Sequence, residues 1–157
     1  MKITKKSAGI LLYRYNNKDL EVFLVHPGGP FWAKKDIGAW SIPKGEFTDE
    51  DPLAAAKREF MEETGTGLSV LKFIKLTPVK LRSGKIVYAW AAEGNIDAET
   101  IKSNLFELEW PPKSGKYRSI PEVDKGGWFT VDEAKRKINE SQSVLIDELA
   151  VLLKTNN

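Results

Sequence analysis

Gly45-Glu46-Phe47-Thr48-Asp49-Glu50-Asp51-Pro52-Leu53-Ala54-Ala55-Ala56-Lys57-Arg58-Glu59-Phe60-Met61-Glu62-Glu63-Thr64-Gly65 is the stretch on which the reading of this chain turns. It predicts a glycine turn followed by a helix over 52–64. Asp51 is a strong N-cap, Pro52 suits a first helical position that needs no N–H, and Gly65 suits the left-handed residue that ends a helix. At about 100° per residue, Leu53, Ala56, Phe60 and Thr64 form one largely apolar stripe, while Glu59, Glu62 and Glu63 share an adjacent arc. Like charges three and four residues apart cost a helix a few tenths of a kcal/mol per pair, so clustered carboxylates favour a cation between them. Ligation by oxygen alone points to a hard ion, Mg2+ or Mn2+.

The stretch resembles the Nudix box, which reads Gly, five residues, Glu, seven residues, then Arg-Glu-apolar-x-Glu-Glu-x-Gly-apolar. Glu50, Arg58, Glu59, Phe60, Glu62, Glu63 and Gly65 meet its fixed positions, and Thr66 replaces the usual aliphatic residue. The interval from Gly45 to Glu50 is one residue short. That residue is missing from the loop before Asp51, where shortening costs less than it would inside the helix. Gly45 follows Ile42-Pro43-Lys44, as the box glycine commonly does in the family, and a glycine there permits close backbone approach.

The resemblance implies an α/β fold, a Nudix-like α/β/α sandwich with a mixed β-sheet. The activity it implies is attack of water on a phosphorus of a nucleoside diphosphate linked to another group. Position by position, Glu59 and Glu63 would be the main metal ligands, Glu62 a further or water-mediated one, and the backbone carbonyl of Lys44 another. Arg58 would orient a glutamate by ion pairing, with Glu50 as its partner. Family members often recruit an additional acid from a later loop as base or ligand. Glu109, beside Trp110-Pro111, is the candidate, with Glu107, Glu93 and Glu122 as rivals. The physical logic is separate from the resemblance: pyrophosphate is polyanionic, and Mg2+ both neutralises that charge and activates water near neutral pH.

With 157 residues the chain fits one domain, 1–157, and its 41% hydrophobic and 29% charged content is that of a soluble globular protein. The absence of cysteine excludes disulfides, thiolate metal sites and cysteine nucleophiles. A basic N-terminus leads into an alternating strand pattern, and no run reaches membrane-spanning length, so the expectation is a cytoplasmic protein without a membrane partner. A net charge of +2 does not demand nucleic acid. The expected partner is a nucleotide-derived small molecule, with a homodimer as the one protein assembly considered.

Strand-like runs at 7–15 and 20–26 flank the turn signal Asn16-Asn17-Lys18-Asp19 and predict a hairpin. A short strand at 39–42 should deliver Pro43-Lys44-Gly45. Residues 69–81 and 86–92 predict a second hairpin around Arg82-Ser83-Gly84-Lys85. The stretch 93–127, rich in Pro and Gly, reads as a long, partly ordered loop with one strand-like piece at 105–110. Thr130-Val131-Asp132-Glu133 is a capping box for a helix to about Ile138, and Ser141 or Ser143 can cap a last helix. That helix would pack Leu145, Ile146, Leu149, Leu152 and Leu153 on the sheet.

Substrate selection is expected outside the box. Phe31, Trp32 and Trp40 could stack on a base, with Lys34, Lys35 and Lys44 for phosphate and Arg82 and Tyr88 on the second hairpin. His26, the one histidine, reads as a strand-end residue ahead of a catalytic base. The Pro43-Lys44-Gly45 approach resembles that of diadenosine tetraphosphate hydrolases. The expected function is therefore a metal-dependent hydrolase cleaving a pyrophosphate bond in a nucleoside diphosphate-linked or dinucleoside polyphosphate substrate, diadenosine tetraphosphate-like first. An ADP-ribose or nucleotide-sugar pyrophosphatase is the alternative. A non-catalytic nucleotide-sensing Nudix-fold module is the rival class, and it would be expected to lose metal glutamates that are all present here.

Overall fold

The computed structural model describes residues 4–69 and 72–155. Strands β1 (Lys6–Asn16) and β2 (Asp19–Pro27) form the expected first hairpin. Asn17 and Lys18 both take positive φ in its two-residue turn, which matches the right-handed twist of the flanking strands. β1 is buried from Ser7 to Tyr13 because it is a central strand with a covering layer on each side.

Around β1 lie β3 (Lys44–Phe47), antiparallel to it, and β6 (Ile86–Glu93), parallel to it. Two short strands, β4 (Ile74–Lys75) and β5 (Val79–Lys80), pair with β6. The last strand of the sheet, β9 (Val123–Thr130), pairs with β2, giving a mixed seven-stranded sheet ordered β4-β6-β1-β2-β9. Separate from it, β7 (Leu105–Glu109) and β8 (Tyr117–Pro121) make a two-stranded antiparallel hairpin.

Helix α1 (Pro52–Thr64) covers one face; α2 (Val131–Lys137) and α3 (Ser143–Thr155) cover the other. Alternation along β1 sorts the two cores. Ala8, Ile10 and Leu12 pack with Ala55, Ala56 and Phe60 of α1, whereas Leu11 and Tyr13 pack with Ala134, Leu145, Ile146 and Leu149. Each fully buried aliphatic side chain contributes roughly 1.5–3 kcal/mol, so both layers hold the sheet firmly. The fold is the α/β/α sandwich that the box implied.

Several local expectations differ. The short strand expected at 39–42 reduces to single bridges at Trp40 and Ser41, and the regular pairing starts two residues later, in β3. Gly45 therefore lies in a strand and not in a turn. Of the long run 69–81, only 74–75 and 79–80 pair, and positions 70 and 71 fall outside the described residues.

The stretch 93–127 is mostly ordered, as the β7–β8 hairpin and the start of β9. Strand patterning misses β9 because Val-Asp-Lys-Gly-Gly-Trp-Phe-Thr lacks alternation. Its glycine at 126 leaves room for the core: a Cβ there would come within 2.6 Å of Phe23 Cζ and 2.9 Å of Ile101 Cδ1. At the helix starts, Thr130 precedes α2 without a side-chain capping bond, and Asn139, not Ser141 or Ser143, caps the 3-10 turn Glu140–Gln142 that leads into α3. No helix among the described residues is long and apolar enough to cross a membrane.

Candidate active site

Helix α1 is punctuated as its sequence requires. The Asp51 carboxylate accepts the Ala54 N–H at 3.1 Å, and Gly65 closes the helix at φ 73° with its N–H on the Met61 carbonyl. Arg58 grips Glu50 with two bonds, Nε to Oε2 at 2.9 Å and Nη2 to Oε1 at 2.6 Å. The shortened loop therefore accommodates the pair. A bidentate contact fixes orientation more than it adds stability, since both side chains are more than a third exposed. The other guanidinium edge donates to Glu59 Oε1 at 2.9 Å and Glu62 Oε1 at 3.1 Å. These carboxylates hold the Arg58 guanidinium well above its ordinary range, Glu50 most of all.

Glu59 is 7% exposed and lies against the backbone of Gly45. A Cβ on Gly45 would sit 2.0 Å from the Glu59 carboxylate, so any side chain at this point would displace that carboxylate. Glu63 accepts the Lys44 N–H on Oε1 at 3.1 Å, tying the other end of the acidic face to β3.

The third carboxylate comes from far along the chain. Asn104 N–H donates to the Glu62 carbonyl at 2.8 Å, Glu122 N–H to the Asn104 carbonyl at 2.9 Å, and Gly28 N–H to the Glu122 carbonyl at 3.0 Å. These bonds lay the β8–β9 junction between the end of α1 and the loop after β2. Ligand oxygens of Glu59, Glu63 and Glu122 consequently all lie within 4.8 Å of one another. Burial, opposed by the Lys44 N–H and reinforced by Glu59 and Glu122, pushes the Glu63 carboxyl up to about 8. Burial and then the Glu62 charge raise Glu59 and Glu122 as well. Three oxygen donors that resist ionisation together fit a hard divalent cation, which would relieve their repulsion.

Glu62 turns toward Arg58 and is not in this cluster. Glu109 is not in it either. Its two carboxylate oxygens accept the N–H groups of Lys113 and Gly115, each at 3.1 Å, and so brace its own hairpin loop. Among the rivals considered from sequence, Glu122 is the one that reaches Glu59 and Glu63.

Beside the cluster is a cleft of about 250 Å3 whose wall includes Trp32, Trp40, Ser41, Lys44, Glu63 and Glu122. Trp40 is a fixed wall, 5% exposed, with Nε1 donating to Asp36 Oδ1 at 2.8 Å and its ring edge-on to His26 and Phe129. Trp32 is half-buried and edge-on to Phe31. Burial, and then the nearby Lys85 charge, hold the Lys44 ammonium below the usual lysine range.

The other expected substrate contacts do not line this cleft. Lys34 is exposed, and Lys35 Nζ lies 3.8 Å over the Phe31 ring. Arg82 is exposed in the turn after β5. Tyr88 pairs in register with Ala8, which turns its ring to the α1 layer against Phe47, at 6.1 Å between centroids. The cleft also takes Leu81 and Gln142, which sequence reasoning did not single out. Gln142 is 2% exposed and bonds Ile42 N–H and Ser41, a contact across a hundred residues that no local pattern signals.

The model of the NUDIX domain matches residues 4–149. Among solved structures, a binary complex of the C. elegans Ap4A hydrolase is similar at 20% identity, covering 95% of this chain and 98% of that one with a TM-score of 0.67. The NUDIX domain of Shewanella oneidensis NrtR, complexed with ADP ribose, is similar at 17% identity, 98% and 90% coverage and a TM-score of 0.66. The chain belongs to the NUDIX-domain family.

Proposed function

We propose that this protein is a Mg2+- or Mn2+-dependent hydrolase that cleaves a pyrophosphate bond in a dinucleoside polyphosphate, diadenosine tetraphosphate foremost. The observation that carries the reading is the meeting of Glu59, Glu63 and Glu122 oxygens within 4.8 Å at the rim of a cleft that holds Trp32 and Lys44. Glu59, Glu63 and Glu122 would hold the cation, with the Lys44 carbonyl as a further ligand. Bound there, the cation would supply charge neutralisation and water activation. Arg58, fixed by Glu50, keeps Glu59 and Glu62 in place. Lys44 would meet a phosphate oxygen, and Trp32 would stack on a base.

A cleft of about 250 Å3 is below the usual size for a complete drug-like ligand, so it would take one end of a longer substrate. The likeness to the Ap4A hydrolase supports the first substrate class, and the likeness to an ADP ribose complex supports the alternative. A cysteine-free chain acting on nucleotides suits the cytoplasm.

The test is a panel of diadenosine tetraphosphate, ADP-ribose, a nucleoside diphosphate sugar and a nucleoside triphosphate, each with Mg2+ or Mn2+. Fastest turnover of diadenosine tetraphosphate is expected. Faster turnover of ADP-ribose would favour the alternative, and binding without any turnover would favour a nucleotide-sensing module.

A further inference from the structure

We propose that His26 is a positioning residue for substrate binding, fastening the loop that carries Trp32 to the strand that follows Glu122. The proposal rests on Trp32 being the base-stacking wall. His26 is fully buried, and its chain neighbours Val25 and Pro27 both line the cleft. Its two ring nitrogens reach two different segments. Nδ1 lies 2.8 Å from Asp124 Oδ1, two residues beyond Glu122, and Nε2 lies 2.6 Å from the Lys35 carbonyl.

Lys35 is part of the turn that presents Trp32. Its N–H donates to the Trp32 carbonyl at 2.9 Å, and Trp32 N–H donates to the Gly29 carbonyl at 3.3 Å. The His26 ring also stands edge-on to Trp40, with centroids 5.3 Å apart, so it backs the second tryptophan of the cleft. The far end of the loop has its own anchors: Gly38 N–H on the Arg136 carbonyl and the Lys137 ammonium on Asp36. Nearer Trp32, whose own ring packs on the core, the ring of His26 adds polar links from loop to sheet. An apolar ring of similar size would keep the packing and lose both polar links.

His26→Phe in the full chain tests this by amide hydrogen exchange and by kinetics on diadenosine tetraphosphate with Mg2+. Exchange at amides 29–38 should speed up by about tenfold while α1 keeps its protection. KM should rise about tenfold with kcat within about twofold, and in a Trp32→Ala background His26→Phe should raise KM by less than about twofold. Unchanged exchange across 29–38 would overturn the proposal, as would a fall in kcat at constant KM. Asp124→Asn, which keeps the ring and weakens one link, should move the same amides in the same direction if His26→Phe folds poorly. Trp32→Ala alone tests the stacking reading: an unchanged KM there would refute stacking, and loop exchange would still decide the role of His26.

Discussion

The acidic helix and the hairpin root supply carboxylates to one cluster by opposite means. Glu59 and Glu63 are neighbours on a helix, and their separation follows from the helical repeat. Glu122 joins them through tertiary contacts: backbone bonds that connect residues 28, 62, 104 and 122, and the Ser103 hydroxyl bonded to the Val123 backbone. The first wall is thus built by local periodicity and the second by tertiary assembly. A cluster made this way needs both, so substitutions in each wall should have separable signatures.

The largest expected effect is in the helix. Glu63→Gln should lower turnover by roughly 10²–10³-fold with little change in fold, the scale on which one electrostatic group acts at a reacting centre. Steady-state kinetics at saturating Mg2+ checks it, and unchanged turnover would remove Glu63 from the site.

A smaller loss is expected from the residue that orients the helix. Glu50→Gln leaves Arg58 without its bidentate partner and should reduce kcat/KM by about tenfold to a hundredfold, as losses in supporting contacts around a metal do. An effect under about twofold would mean that the shortened loop has made the pair dispensable.

A separate effect is on stability and not on turnover. Glu63 holds its proton in the folded state up to about pH 8, whereas an unfolded carboxyl releases it near about 4.3. The folded state binds more protons in that window, so stability of the metal-free protein falls as pH rises through it and levels off above. Thermal melts across the window should show a lower Tm at the alkaline end. Glu63→Gln should flatten the trend, and a Tm that rises with pH in the metal-free protein would contradict it.

Much of this fold was legible because its signals are local. Asp51, Pro52 and Gly65 mark the ends of α1, and the strand-like runs of β1 and β2 around Asn16-Asn17-Lys18-Asp19 give the first hairpin. The Arg58–Glu50 contact was legible from box register alone. What escaped depends on distant pairing. β9 carries adjacent glycines where a strand pattern wants side chains, because Phe23 and Ile101 occupy the space at Gly126 and Phe129 that at Gly127. Tyr88 could be placed on a strand but not on a face until its register with Ala8 was known. The sequence favours Glu109 over Glu122 for its place beside Trp110-Pro111; the closed hairpin instead shows Glu109 bonded to its own loop.

Binding of Mn2+ to the wild-type chain, Glu122→Gln and Glu109→Gln tests the central claim most directly. Glu122→Gln should weaken binding by about tenfold or more, as loss of one charged ligand does, with Glu109→Gln within about twofold of wild type. Wild-type affinity in Glu122→Gln, or a loss confined to Glu109→Gln, would contradict the three-carboxylate site.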